Sequence, residues 1–358
     1  MKLAHLVLES GEVFSGKTYQ IHFKDRAGEV VFNTSHFGYE EIATDPSYYS
    51  QIIVMTSPMQ GNYGASKDHC ESSRLWIEGF VCLSIQNSQR ERSWQNQLEQ
   101  AQVPLLHSVD TRALTRRLRA KGTTWGALVM ASNEVEALSK SRLLIHARKK
   151  EIEKDWVFEA SCKEIFKHQG NFPMGPRLGI LDLGMKFNIL REALHRSSQC
   201  IQFPSRTSAE KILSYDLDGL ILSNGPGDPQ DVQVARETIG QLVGKLPLFG
   251  ICMGHQILCL ALGAETYKLK FGHRGANHPI KDDLLGRIYM TSQNHGYAVR
   301  RESLPDFVKV TQLNLNDQTV AGIFCLDKRI LGIQYHPESC PGPHDSKGLF
   351  DYFISKMI

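Results

Sequence analysis

Cys252 stands with a glycine two residues to either side, Gly250 and Gly254. The apolar run at 246–249 leads into it, and helix-forming residues 257–262 lead out. That is the pattern of a strand–turn–helix elbow, with sulfur in place of a serine hydroxyl. The turn needs small neighbours because strand and helix nearly collide there. It also sets the sulfur at a helix N-terminus, where the dipole favours thiolate over thiol. The chemistry implied is covalent attack on an acyl group.

A cysteine nucleophile needs a base, and the base needs an orienting group. The segment Ile330-Leu331-Gly332-Ile333-Gln334-Tyr335-His336-Pro337-Glu338 can supply both. If the end of this strand stays extended, His336 and Glu338 point to the same side. Glu338 then accepts from one imidazole nitrogen and leaves the other for Cys252. Pro337 removes a backbone donor between them and stiffens the pair. Acyl transfer also needs an oxyanion hole. One donor is expected from the backbone N–H of Met253. The other is expected from Gly225-Pro226-Gly227, where Pro226 has no N–H, so it is Gly225 or Gly227.

These residues must be positioned by a larger frame. Residues 178–181, 200–203, 220–222 and 246–251 read as strands, and 187–195, 209–214 and 232–243 as helices. Short apolar strands alternating with amphipathic helices predict an α/β domain, a mostly parallel sheet flanked by helices. Ligands then sit at the carboxyl ends of the strands. Cys252 and the loop Asn224-Gly225-Pro226-Gly227-Asp228-Pro229 both fall at such ends. From 288 to 336 the pattern turns to successive strands, and 348–358 closes with a helix. Earlier in the chain, 29–33 and 51–56 read as strands. Residues 110–119 read as a helix capped by Asp110, with Leu114 and Leu118 on one face and Gly122 as its stop. Residues 134–176 read as a connector, dense in charge from Lys140 to Lys154 and loop-forming at 170–176. Two domains are expected, 1–172 and 173–358, the first a smaller mixed α/β domain.

Composition is that of ordinary globular material: 358 residues, 41% hydrophobic, 22% charged, with a formal net charge of +3. Nothing in that balance marks a nucleic-acid or membrane surface. No apolar run approaches the roughly 18 residues of a membrane span. Glu9 and Glu12 arrive before any long apolar core, so no signal peptide is expected. Eight scattered cysteines without a C-x-x-C pair read as free thiols of a cytoplasmic protein. Cys82, Cys259 and Cys325 read as small buried hydrophobes. His273, His278, His295 and His344 fit no zinc spacing and fall in stretches rich in glycine and proline, read as loops, so no metal is expected. No G-x-x-x-x-G-K-[ST] motif for ATP occurs.

Gly250-Ile251-Cys252-Met253-Gly254-His255-Gln256, His336-Pro337-Glu338 and Asn224-Gly225-Pro226-Gly227 together resemble class I, triad-type glutamine amidotransferases. Phe32-Asn33-Thr34-Ser35, Gly38-Tyr39-Glu40-Glu41, Thr44-Asp45-Pro46-Ser47-Tyr48, Gly61-Asn62-Tyr63-Gly64 and Asp110-Thr111-Arg112 resemble the N-terminal domain of carbamoyl-phosphate synthase small subunits. So do Gly275-Ala276-Asn277-His278-Pro279, Gln293-Asn294-His295-Gly296-Tyr297 and Pro341-Gly342-Pro343-His344-Asp345 in the second half. The resemblance runs nearly end to end, although the hydrophilic segment 87–102 matches no motif.

The resemblance implies hydrolysis of L-glutamine to glutamate and ammonia through a γ-glutamyl thioester on Cys252. Ammonia would pass to a large subunit that makes carbamoyl phosphate from bicarbonate and ATP, for pyrimidine and arginine biosynthesis. The pair would be a heterodimer or a higher oligomer of heterodimers. No cofactor is implied in this chain; ATP and Mg belong to the large subunit. Glutamine would be held by Ser35, Gly225, Gly227, Met253, Gln256, Asn294, Gly296 and Tyr297. Ser35 lies in the other domain, which would put the site at the domain border. Met253 stands where the family often has leucine and Tyr297 where phenylalanine is common. Two alternatives differ from this expectation. One is the glutaminase of another synthetase, such as those for anthranilate or GMP, which lacks this N-terminal domain. The other is a non-catalytic regulatory subunit, which has no need of cysteine, histidine and glutamate together.

Overall fold

The apolar runs between 177 and 251 become strands that lie side by side. Gln199–Pro204, Arg177–Asp182, Gly219–Leu222, Leu248–Ile251 and Ile330–Ile333 are neighbours in that order, all parallel. Every residue of the last three is buried. Such burial is what two covered faces require, and it explains why these strands are apolar throughout and do not alternate. The helices Gln233–Leu242 and Met253–Ala261 cover one face, where Ile239, Leu242, Ile257 and Leu258 meet Leu181, Leu220 and Leu248. On the other, Phe187–Arg196 and Gly348–Met357 bring Ile189, Ala193, Leu349 and Phe353 against Ile180, Ile221 and Phe249.

Antiparallel strands extend this parallel centre. Val320–Cys325, Lys309–Asn314 and the hairpin of Thr266–Asp282 with Arg287–Val299 follow on one side. Phe166–Gln169 closes the other. Among the described residues the sheet has ten strands. The computed structural model describes residues 1–151 and 155–358. Residues 273–279 are strand, not the loop their composition suggests. The pairing shifts register between Lys268 and His273 and between Gly275 and His278, so bulges absorb the glycine-rich stretch. His273, His278 and His295 therefore lie on strands.

The chain forms two compact units, Met1–Glu153 and Lys154–Ile358. The loop at 170–176 lies inside the second unit, because Val157 joins its core and Phe166–Gln169 pairs with Gln199–Pro204. The first unit is built on a mixed sheet in the order Val13–Thr18, Lys2–Leu8, Thr124–Met130, Arg26–Asn33, Gln51–Met55, Gly79–Val81 and Leu105–Leu106. The helix Thr111–Lys121 is capped by Asp110, whose Oδ1 accepts from Ala113 N–H at 2.9 Å. The charged stretch expected as connector is in large part a helix, Glu134–Glu151. Ala137, Ser141 and Ile145 are its buried stripe at i, i+4, i+8, with Ala137 and Ile145 in the cluster of Val7, Ala127 and Val129. A stripe that narrow, with small residues at two of its three positions, is masked in the sequence by Val135 and Leu143, which face solvent.

No helix among the described residues is long and apolar enough to cross a membrane. All eight cysteines are free thiols. Truncating Ile145 to alanine is expected to destabilise the first unit by about 2–4 kcal/mol, whereas Leu143→Ala changes it by less than about 0.5 kcal/mol. Urea unfolding of the two variants checks this; equal effects would contradict the orientation of the helix.

Candidate active site

Three neighbouring parallel strands end at one level. Ile251 pairs with Ile333, and Leu222 with Gly250. The backbone N–H of Cys252 donates to the Ile333 carbonyl at 2.8 Å, so Cys252 leaves its strand beside Gln334. The third strand delivers Ser223 and Asn224, and the Ser223 carbonyl accepts from Gly254 N–H at 2.9 Å. The helix carrying Met253 and Gln256 is thus tied at its first turn to the Gly225-Pro226-Gly227 loop.

Cys252 itself has φ 54 and ψ −103, a strained combination for a residue with a side chain. The flanking glycines permit it. A Cβ on Gly250 would lie 2.8 Å from the backbone of His255, and one on Gly254 would collide with the Leu222 carbonyl. Met253 occupies the first helical position, where a backbone N–H has no partner within the helix. The Cys252 thiol is buried, 3.6 Å from the Asn294 carbonyl and 3.8 Å from Gln334 Nε2.

His336 is held from two sides. Its backbone N–H donates to Ser292 at 2.9 Å, and its Nδ1 donates to Glu338 Oε1 at 2.7 Å. Nε2 makes no hydrogen bond of normal geometry among the described residues. Glu338 is fully buried, and Lys186 Nζ sits 3.1 Å from its Oε1. Lys186 also donates to the Ser339 carbonyl, and Asn188 Nδ2 to the Glu338 carbonyl. The Lys186 backbone N–H donates to Asn224 Oδ1 at 3.0 Å, so one residue braces both the triad and the loop.

Electrostatics follow from this chain of charges. Burial opposes an imidazolium at His336, but the Glu338 carboxylate, the nearby Cys252 sulfur and the hydrogen bond to Glu338 outweigh it and raise the pKa to about 10. Burial likewise opposes the Glu338 anion, yet Lys186 and then His336 bring it down to about 2. The imidazole thus holds a proton readily while Glu338 stays ionised, which is what an acid for a departing amine requires.

The expected residues of the second unit fall around this centre. Asn294, Gly296 and Tyr297 lie on Arg287–Val299, the edge strand of the long hairpin. Gln256 Nε2 reaches the Tyr297 carbonyl at 2.8 Å. Ser35 belongs to the first unit, where its N–H donates to Asn33 Oδ1 at 2.7 Å. Sequence reasoning missed Lys186 and Gln334. A signal for Lys186 existed: a lysine just ahead of a helix opposes the macrodipole unless its charge is used elsewhere. For Gln334 the signal was the alternation itself, since Gln334, His336 and Glu338 are spaced i, i+2, i+4.

Residues 179–356 match the family model for glutamine amidotransferase class-I, and residues 6–128 that for the carbamoyl-phosphate synthase small chain, CPSase domain. The chain is 44% identical over 356 residues to the carbamoyl phosphate synthase small chain of Bacillus caldolyticus, covering 98% of this chain and 95% of that one. With the Listeria innocua protein of the same name it shares 45% identity, over 98% and 96% of the two chains. With that of Methanocaldococcus jannaschii it shares 43%, over 98% of each. The chain belongs to the carbamoyl-phosphate synthase small-chain family. Within that family the fold described above is the glutamine amidotransferase domain, preceded by the small-chain domain. The N-terminal match is what separates the chain from glutaminases of other synthetases.

The charge pairing has a pH signature. Glu338 is depressed from 4.5 to about 2, so its contribution is complete above pH 4.5 and lost as pH falls through 2. His336 is raised from 6.5 to about 10, so its contribution is complete below pH 6.5 and lost as pH rises through 10. Glu338→Gln, which removes the carboxylate that Lys186 and His336 share, is expected to cost about 3–5 kcal/mol near neutrality. The difference from the parent chain should shrink between pH 4.5 and 2, by urea unfolding at fixed ionic strength. A difference constant over that range would contradict the pairing.

Proposed function

We infer that the chain is the glutaminase subunit of carbamoyl-phosphate synthase, with Cys252, His336 and Glu338 as its catalytic residues. The observation that supports this most is the buried cysteine at the end of one parallel strand, with a charged His336–Glu338 pair at the end of its neighbour. In this reading Cys252 sulfur, its proton held on His336 Nε2, attacks the γ-carboxamide carbon of L-glutamine. The oxyanion is met by Met253 N–H and by the N–H of Gly225 or Gly227. Collapse breaks the C–N bond, His336 returns the proton to nitrogen, and ammonia leaves a γ-glutamyl thioester behind. Water then attacks the thioester and gives its proton to His336. Cleavage of the C–S bond releases glutamate and returns Cys252 and His336 to their starting state. Glu338 stabilises the imidazolium in both halves, and Lys186 keeps Glu338 ionised.

The α-amino acid head of glutamine is assigned to Ser35, Gln256, Asn294, Gly296 and Tyr297, groups that can read it without a metal. The partner is a large subunit that takes the ammonia and makes carbamoyl phosphate from bicarbonate. ATP and Mg act on that subunit and have no step here. The free thiols support a cytoplasmic setting.

Glutamate release by the purified chain, with and without a carbamoyl-phosphate synthase large subunit, tests the reading. Cys252→Ser is expected to lower glutamine hydrolysis by at least about 10³-fold while ammonia-supported synthesis by the complex persists. Hydrolysis that survives the substitution would remove Cys252 as nucleophile. Hydrolysis indifferent to the partner would reopen which synthetase is served, and none at all would favour a regulatory scaffold.

A further inference from the structure

Gln334 is buried directly after the strand Ile330–Ile333, its backbone N–H donating to the Ala321 carbonyl at 2.9 Å. Its side chain joins two groups of the site. Gln334 Oε1 accepts from Gln256 Nε2 at 3.0 Å, and Gln334 Nε2 lies 3.8 Å from Cys252 Sγ. Gln256 Nε2 also donates to the Tyr297 carbonyl at 2.8 Å. The direction of this relay is not a free choice. A main-chain carbonyl only accepts, so Gln256 must turn its NH₂ toward Tyr297. The second hydrogen of that NH₂ then points at Gln334, which must answer with oxygen. Gln334 is left with its own NH₂ on the side of the sulfur. Both hydrogens of the Gln256 amide are thereby engaged, and its Oε1 accepts no hydrogen bond among the described residues.

We propose that Gln334 is a positioning residue that relays the polarity fixed at the Tyr297 carbonyl, presenting a donor to the Cys252 sulfur and helping to hold Gln256 Oε1 as the acceptor for the substrate's α-ammonium group. The proposal rests on the glutaminase reading above. A donor aimed at sulfur favours the anion over the thiol, because the hydrogen bond is stronger to the charged form. An acceptor oxygen with no other partner selects a cationic amine, and a buried polar group left unmatched is how such a site rejects an analogue lacking it. One buried side chain therefore couples nucleophile reactivity to recognition of the amino acid head.

Two substitutions separate these effects. Gln334→Glu can still accept from Gln256 but offers the sulfur an anion in place of a donor. Gln334→Met, similar in volume, offers neither. Alkylation of Cys252 in the full chain by iodoacetamide is followed against pH by peptide mass spectrometry, and the KM for glutamine by glutamate release. For Gln334→Glu the alkylation profile is expected to move up by about one pH unit or more, while KM stays within about threefold. For Gln334→Met, KM is expected to rise about tenfold, since the Gln256 amide then keeps only its bond to the Tyr297 carbonyl and loses the second of its two anchors. A general loss of packing would move both readouts together in both variants. An active parent chain with an unmoved profile in Gln334→Glu, or an unmoved KM in Gln334→Met, overturns the polarity assignment alone. If Gln334→Glu does not fold, the KM of Gln334→Met decides. A parent chain with neither glutamate release nor a reactive Cys252 overturns the glutaminase reading and this inference with it.

Discussion

The pairing of Leu248–Ile251 with Ile330–Ile333 is the constraint on which the rest of the site depends. These two strands are adjacent and parallel although about eighty residues separate them in the chain. Their register, with Ile251 opposite Ile333, makes the nucleophile and the His–Glu segment emerge at one level. A slip by one residue would turn Gln334, His336 and Glu338 to the other face of the sheet together. The slip is resisted because each of the two strands is buried along its whole length, so either face would meet the wrong partners.

That register creates a problem that the neighbouring elements solve. It places a carboxylate and an imidazole where water is excluded, and burying charge is costly unless each charge is paired and hydrogen-bonded. Lys186 answers from the start of the Phe187–Arg196 helix, reaching Glu338 at 3.1 Å. Asn188 binds the Glu338 carbonyl, and Asn224 fixes the backbone of Lys186. The same contacts tie the Gly225-Pro226-Gly227 loop to the triad. Charge compensation and site assembly are therefore one set of interactions. The backbone at Cys252 adds local strain, and it persists because the strand ahead and the helix behind are both anchored in the core.

The amide relay from Tyr297 through Gln256 and Gln334 to the sulfur belongs to the same logic. A fixed main-chain acceptor at one end decides the orientation of every group along it. The long hairpin that carries Asn294 and Tyr297 is thus more than a cover over the sheet edge. It supplies both the carbonyl facing the thiol and the carbonyl that orders the amides.

Much of this was legible in residue order. The glycine-flanked cysteine, the i,i+2 spacing of His336 and Glu338, and the alternation of short apolar strands with amphipathic helices are local patterns, and local sterics and burial dictate what they become. Other features were not local. The helix Glu134–Glu151 hides its packing face in Ala137, Ser141 and Ile145, because two of the three are small and the larger apolar Val135 and Leu143 face solvent. The Gly-rich stretch at 272–279 becomes strand only because bulges fit it to Arg287–Val299. Residues 155–172 look like a linker until Phe166–Gln169 finds Gln199–Pro204. Lys186 and Gln334 acquire roles only from neighbours 152 and 82 residues away in the chain. Sequence alone determined which groups could do chemistry and which segments would be strands or helices, because those depend on side chains a few residues apart. Tertiary structure decided strand order, register and charge partners, because these depend on which distant surfaces bury each other.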